Sequence, residues 1–163
     1  MPRVNIVDSG HAGPAAVDDW SWLPYTQARH LHTLREAFHI INTRITGHKA
    51  CDAAYRTLAG GRSFAQVWAD QSIWINCDPK NDGHNYGVTI FAGGKEVSIT
   101  EYALRMGRWT TAATLIHELA HTNGADGVSH DAEGTLRHCL LRGLEDPTIM
   151  GMLPQLRSGT SVA

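Results

Sequence analysis

The chain has 163 residues, an apolar content of 42%, a charged content of 18% and a formal net charge of -2. These values describe one globular domain with a sizeable core and exclude a disordered chain. With no run of Lys or Arg they also argue against a nucleic-acid or anionic-membrane surface, and no apolar stretch reaches the length of a membrane span.

Residues 1–25 carry Gly10, Gly13, Pro14 and Pro24 beside Trp20 and Trp22. They read as an N-terminal arm, loosely structured and docking late through its tryptophans. Met1 to Trp20 lacks the basic region and apolar core of a secretory signal, so a cytoplasmic location or signal-independent export is expected. A single domain is expected over residues 26–156, followed by a flexible tail over 157–163.

From Thr26 to about Thr46 the apolar residues Leu31, Leu34, Phe38, Ile41 and Ile45 form one helical stripe, with Gly47 as its stop. His30, His32, His39 and His48 on or near this helix read as structural or solvated groups. Ala50–Leu58 predicts a shorter helix closed by Gly60-Gly61, and Ser63–Trp68 a turn or brief helix. The period then changes to that of strands: Ser72–Cys77, Gly87–Phe91 and Glu96–Ile99, the last two joined as a hairpin through Gly93-Gly94. Glu101–Gly107 predicts a short helix, and Asp131 to about Gly143 the last one. The three cysteines, Cys51, Cys77 and Cys139, cannot all pair within the chain. One disulfide, for instance Cys51 with Cys77, is compatible with the count.

The informative stretch runs from Trp109 to Asp131, centred on His117-Glu118-Leu119-Ala120-His121. Ala112, Ala113, Leu115, Ile116, Leu119 and Ala120 make it apolar almost all round, the pattern of a buried helix. On such a helix residues i and i+4 lie about 40° apart in azimuth and about 6 Å apart along the axis. Two imidazoles so placed can converge on one Zn²⁺, with Glu118 turned toward a metal-bound water. Burying two His and a Glu there without partners would cost several kcal/mol, roughly; a shared metal removes that objection.

A catalytic zinc takes a third protein ligand, and the downstream candidates are Asp126, His130, Asp131, Glu133 and His138. Here the chain resembles the zincin metallopeptidases. His117, Glu118, His121 and Gly124 match the opening of the metzincin pattern; Gly127 stands at that branch's third-ligand position, and His130-Asp131 looks like its His-Asp pair three residues late. Thr148-Ile149-Met150-Gly151 looks like its methionine turn. The deuterolysin-type branch, or aspzincins, takes an Asp nine residues after the second His; that offset falls on His130, and the branch's following tyrosine falls on Glu133. Both comparisons favour His130 as third ligand, with Asp126 and Asp131 as alternatives.

The resemblance implies an α+β zincin-like domain: a long N-terminal helix packed on a small, mainly antiparallel sheet, the buried HExxH helix, and a C-terminal helix. It implies one Zn²⁺ per chain, held by His117, His121 and His130, with Glu118 as catalytic base of a metalloendopeptidase acting on proteins or peptides. Tyr86, Tyr102, Arg137 and His138 are the side chains of a type to assist at an oxyanion. Val88–Phe91 or Val97–Thr100 is the strand to which an extended peptide could add. A zinc amidase or deacylase on a non-protein substrate (a toxin or effector domain), and a non-catalytic module stapled by zinc, are the competing expectations. No nucleic-acid or membrane partner is expected, and the chain is expected to be monomeric.

Overall fold

The computed structural model describes residues 1–139. The last turns of the expected C-terminal helix, the methionine-turn candidate around Met150 and the tail over 157–163 lie outside the described residues. The architecture is α+β: one four-stranded mixed sheet with helices packed around a central buried helix.

The first long helix, α1 (Ala28–Ile40), runs into a π-helical turn over Ile41–Ile45. The predicted stripe faces inward, with Leu34, Phe38, Ile41 and Ile45 buried. The wider turn closes with the Thr46 N–H on the Ile41 carbonyl at 2.9 Å, and Gly47 at φ 80° ends it. Two short helices follow, α2 (Lys49–Arg56) and α3 (Phe64–Trp68). The latter starts on a capping box, Ser63 accepting from the Gln66 N–H and the Gln66 side chain from the Ser63 N–H.

The strands are β1 (Arg3–Val4), β2 (Trp74–Asp78), β3 (Gly87–Thr89) and β4 (Glu96–Thr100), in the spatial order β1-β2-β4-β3. β1 and β4 both run parallel to β2, and only β3 is antiparallel to its neighbour β4. The expectation of a mainly antiparallel sheet is therefore corrected. The hairpin was read rightly, but β2 joins β4 in parallel across the intervening β3 segment, and the arm contributes a parallel strand of its own.

The arm is also more tightly held than its glycines and prolines suggest. Trp20, Trp22 and Tyr25 are buried, and the two tryptophans pack with Val88. Residues alternate across the sheet: Ile75, Val97 and Ile99 belong to the main core, whereas Asn76, Asp78 and Ser98 point to the other face under the arm. There the Ser98 hydroxyl donates to the Ser21 carbonyl at 2.6 Å and the Ser21 N–H donates to Asp78 Oδ2 at 2.7 Å. Asn5 Nδ2 donates to Asn76 Oδ1 at 2.8 Å. The buried polar side chains of that face thus find partners in the arm, which is what makes their burial tolerable.

Behind β4 come α4 (Glu101–Met106) and α5 (Arg108–Thr122), separated by Gly107 at φ 105°, and then α6 (Asp131–Cys139). Every residue of α5 from Thr110 to Thr122 is buried. The helix packs against β3 and β4 on one side and α1, α4 and α6 on the others. Three of its four threonines help by turning their hydroxyls onto nearby carbonyls: Thr111 on Gly107, Thr114 on Thr110, Thr122 on Leu119.

The disulfide joins Cys51 of α2 to Cys139 of α6, and Cys77 is a free thiol. This corrects the pairing of Cys51 with Cys77. Cys77 lies on β2, where burial and then the nearby Asp78 and Glu101 carboxylates push its pKa up to about 12, so the thiol stays protonated.

Candidate metal centre

His117 and His121 lie one turn apart on α5, and both are buried. Their Nε2 atoms are 3.2 Å apart. Two nitrogens bound to one zinc at about 2.0–2.1 Å and a tetrahedral angle stand roughly 3.3 Å apart, so the pair fits a shared ion.

The end of α5 fixes the His121 tautomer. Gly124 at φ 87° turns the chain back, its N–H bonding the His121 carbonyl at 2.9 Å and the Ala125 N–H the Ala120 carbonyl at 3.0 Å. That is a Schellman closure, which calls for glycine at the left-handed position. It brings the Ala125 carbonyl to 2.9 Å from His121 Nδ1. A carbonyl only accepts, so Nδ1 carries the proton and the Nε2 lone pair is left facing His117. His117 is held neutral: burial first, and His121 second, push its pKa down to about 3.

The same end of the helix is bolted to the loop after α2. Asn123 Nδ2 donates to the Tyr55 and Arg62 carbonyls at 2.8 and 2.9 Å. Arg62 Nη2 donates to the Thr122 carbonyl at 3.0 Å. A Cβ on Gly60 would stand 2.7 Å from the Asn123 carbonyl oxygen, so that close approach requires glycine. About two turns earlier the buried Tyr55 hydroxyl donates to the Ile116 carbonyl, beside His117.

Glu118 is buried at 4% exposure. Its Oε2 lies 2.9 Å from the Thr89 hydroxyl of β3, which is equally close to the Glu118 carbonyl. Burial raises the Glu118 pKa; His121 and the Thr89 contact oppose the shift, and the Glu133 carboxylate adds to it. Gly87 leaves room for this side chain: a Cβ there would stand 3.2 Å from Glu118 Cγ and 2.8 Å from Thr114 Cγ2. Thr89→Val keeps the shape of the side chain but removes the hydroxyl. It is expected to cost roughly 1.5–3 kcal/mol, the range for a hydrogen bond to a charged group, with Thr89→Ser close to wild type. Denaturant unfolding of the three proteins checks this, and an unchanged midpoint for Thr89→Val refutes it.

His130 is not brought to the pair. Its backbone is left-handed at φ 58°, and its side chain is 67% exposed, with Nδ1 3.7 Å from Glu133 Oε1. The offset counted from His121 fails because the loop spends residues on a local turn: Asp126 Oδ1 accepts from the N–H groups of Val128 and Ser129 at 3.0 and 2.6 Å. Asp126 and Asp131 are exposed too. Among the described residues no group of three or more His, Cys, Asp and Glu is placed to hold a metal ion. Glu133 is the residue that the offsets passed over: its side chain is only 14% exposed and its charge reaches Glu118. Of the oxyanion candidates, Tyr86 is buried against Tyr102, with ring centroids 5.3 Å apart, while Arg137 and His138 are exposed in the last turn of α6.

β4 lies between β2 and β3, so Val97–Thr100 has no free edge. β3 is the outer strand. The Ile90 N–H and the Tyr86 carbonyl bond to β4, and the alternation of an antiparallel ladder turns the backbone groups of Gly87 and Thr89 outward. Compared with protein-family models, curated proteins and solved structures, the chain matches none of them.

Proposed function

We propose that the chain is a zinc-dependent metallopeptidase of zincin-like architecture, with His117 and His121 as metal ligands and Glu118 as general base. The observation that carries this reading is the convergence of two buried imidazoles, Nε2 to Nε2 at 3.2 Å, with a buried carboxylate on the same helix. A zinc ion held there supplies a Lewis acid that polarises a carbonyl and lowers the pKa of water.

The protein's own groups do the rest. The Ala125 carbonyl keeps the proton of His121 on Nδ1. The Thr89 hydroxyl holds one oxygen of Glu118, leaving Oε1 to take a proton from the attacking water and return it to the departing amine. The raised pKa of Glu118 makes it a stronger base than a solvated carboxylate. The outward backbone groups of Gly87 and Thr89 favour an extended peptide as substrate, since an edge strand reads main chain before side chain. Thr89 then joins the two parts of the site, with its backbone on the edge and its hydroxyl on the base.

Metal analysis of the purified chain, beside casein cleavage with and without a chelator, tests the reading. About one equivalent of zinc per chain is expected, with cleavage that the chelator stops and added zinc restores. A chain that holds zinc yet leaves peptides intact would favour an amidase or deacylase on a non-protein substrate. One that takes no zinc overturns both.

A further inference from the structure

We propose that Glu133 of α6 is the third protein ligand of the metal centre, an inference that rests on the zinc reading of His117 and His121. Burial separates the downstream candidates. Asp126, His130, Asp131 and His138 are all exposed, whereas the Glu133 side chain is 14% exposed. It stands in the first turn of α6, whose neighbours Ala132, Thr135 and Leu136 are buried, and α6 packs directly on the metal-site helix α5. The Cys51–Cys139 disulfide ties the far end of α6 to α2, so the helix that carries Glu133 is covalently anchored to the body of the domain.

The charges point the same way. Glu118 is 4% exposed and the Glu133 side chain 14%, two carboxylates shielded from water on helices that pack against each other. A pair of buried acids without a cation is costly, and a divalent ion reverses the sign of that interaction. Two neutral imidazoles and a carboxylate are also a recurrent donor set for a hydrolytic zinc, with a fourth position left for water. The Glu133 carboxylate rests 3.7 Å from His130 Nδ1, on a ring that is two-thirds exposed. An exposed partner at that distance holds the carboxylate only weakly.

The test is zinc affinity, measured by competition with a chromophoric chelator, for the wild-type chain and for Glu133→Ala, Glu133→Gln, His130→Ala and Asp126→Ala. Losing a partner outside the ligand shell typically costs about 10–100-fold in metal affinity. Loss of a true ligand should exceed about 100-fold in both Glu133 variants, with His130→Ala and Asp126→Ala within a few-fold of wild type. Glu133→Gln keeps size and polarity, and circular dichroism of the metal-free proteins separates lost ligation from lost folding. Glu133 variants that fold and hold zinc as tightly as wild type overturn the inference alone, as does a loss confined to His130→Ala or Asp126→Ala. A wild-type chain that takes no zinc overturns the metal reading and this inference with it.

Discussion

Glu118→Gln should lower kcat/KM for a peptide substrate by about 10²–10⁴-fold, the usual contribution of a positioned general base, while the zinc content stays at the wild-type level. The substitution is nearly isosteric. An amide oxygen can still accept from Thr89 Oγ1, now 2.9 Å from Glu118 Oε2, so the side chain should keep its place on α5. What is lost is basicity. A carboxylate can take a proton from water and give it back; an amide can do neither at working pH. The site gives this carboxylate a raised pKa by burying it, which makes proton transfer easier than it would be for a solvated glutamate. Retention of activity within tenfold, with metal in place, would sink the assigned role. Loss of both activity and zinc would mean instead that Glu118 helps to hold the metal.

How far this centre could be read in the sequence depends on the range of the interactions involved. His117, Glu118 and His121 lie within five residues on one helix, and helical geometry alone aligns i with i+4. The apolar and small residues around them gave away the burial of α5. The α1 stripe and the β3–β4 hairpin are local in the same sense. Glu133 is a different case. Its position depends on the turn at Asp126–Ser129 and on how α6 settles against α5, and offsets counted from another family's loop picked out His130, whose side chain is 67% exposed. The sheet failed for a related reason. β1 is a two-residue strand inside a glycine- and proline-containing arm, with no periodicity to detect, and the parallel pairing of β2 with β4 skips the strand between them. Thr89 was likewise hidden, since an ordinary strand threonine becomes informative only when the fold lays it against Glu118.

Removing the disulfide should have the largest effect on stability. Cys51 and Cys139 are 88 residues apart, and in the loop-entropy account closing a loop of that length stabilises the folded chain by roughly 4–5 kcal/mol. Cys51→Ala with Cys139→Ala, or reduction of the native protein, is expected to lower Tm by about 8–20 °C, taking roughly 2–4 °C per kcal/mol for a chain of this size. Cys77→Ala is the control: its thiol is in no bridge, so the Tm of that variant should not respond to the disulfide's loss or to reductant beyond the wild-type response. The bond also bears on the site, because it anchors the helix that carries Glu133 to α2, whose Tyr55 hydroxyl braces α5 at the Ile116 carbonyl. Zinc affinity should therefore fall in the double variant even below its Tm, when α6 is free to move off α5. Thermal scans with and without reductant, followed by the same chelator competition, measure both effects. An unchanged Tm on loss of the bond would show that α6 is held by packing alone, and unchanged zinc affinity would show that Glu133 does not depend on the tether.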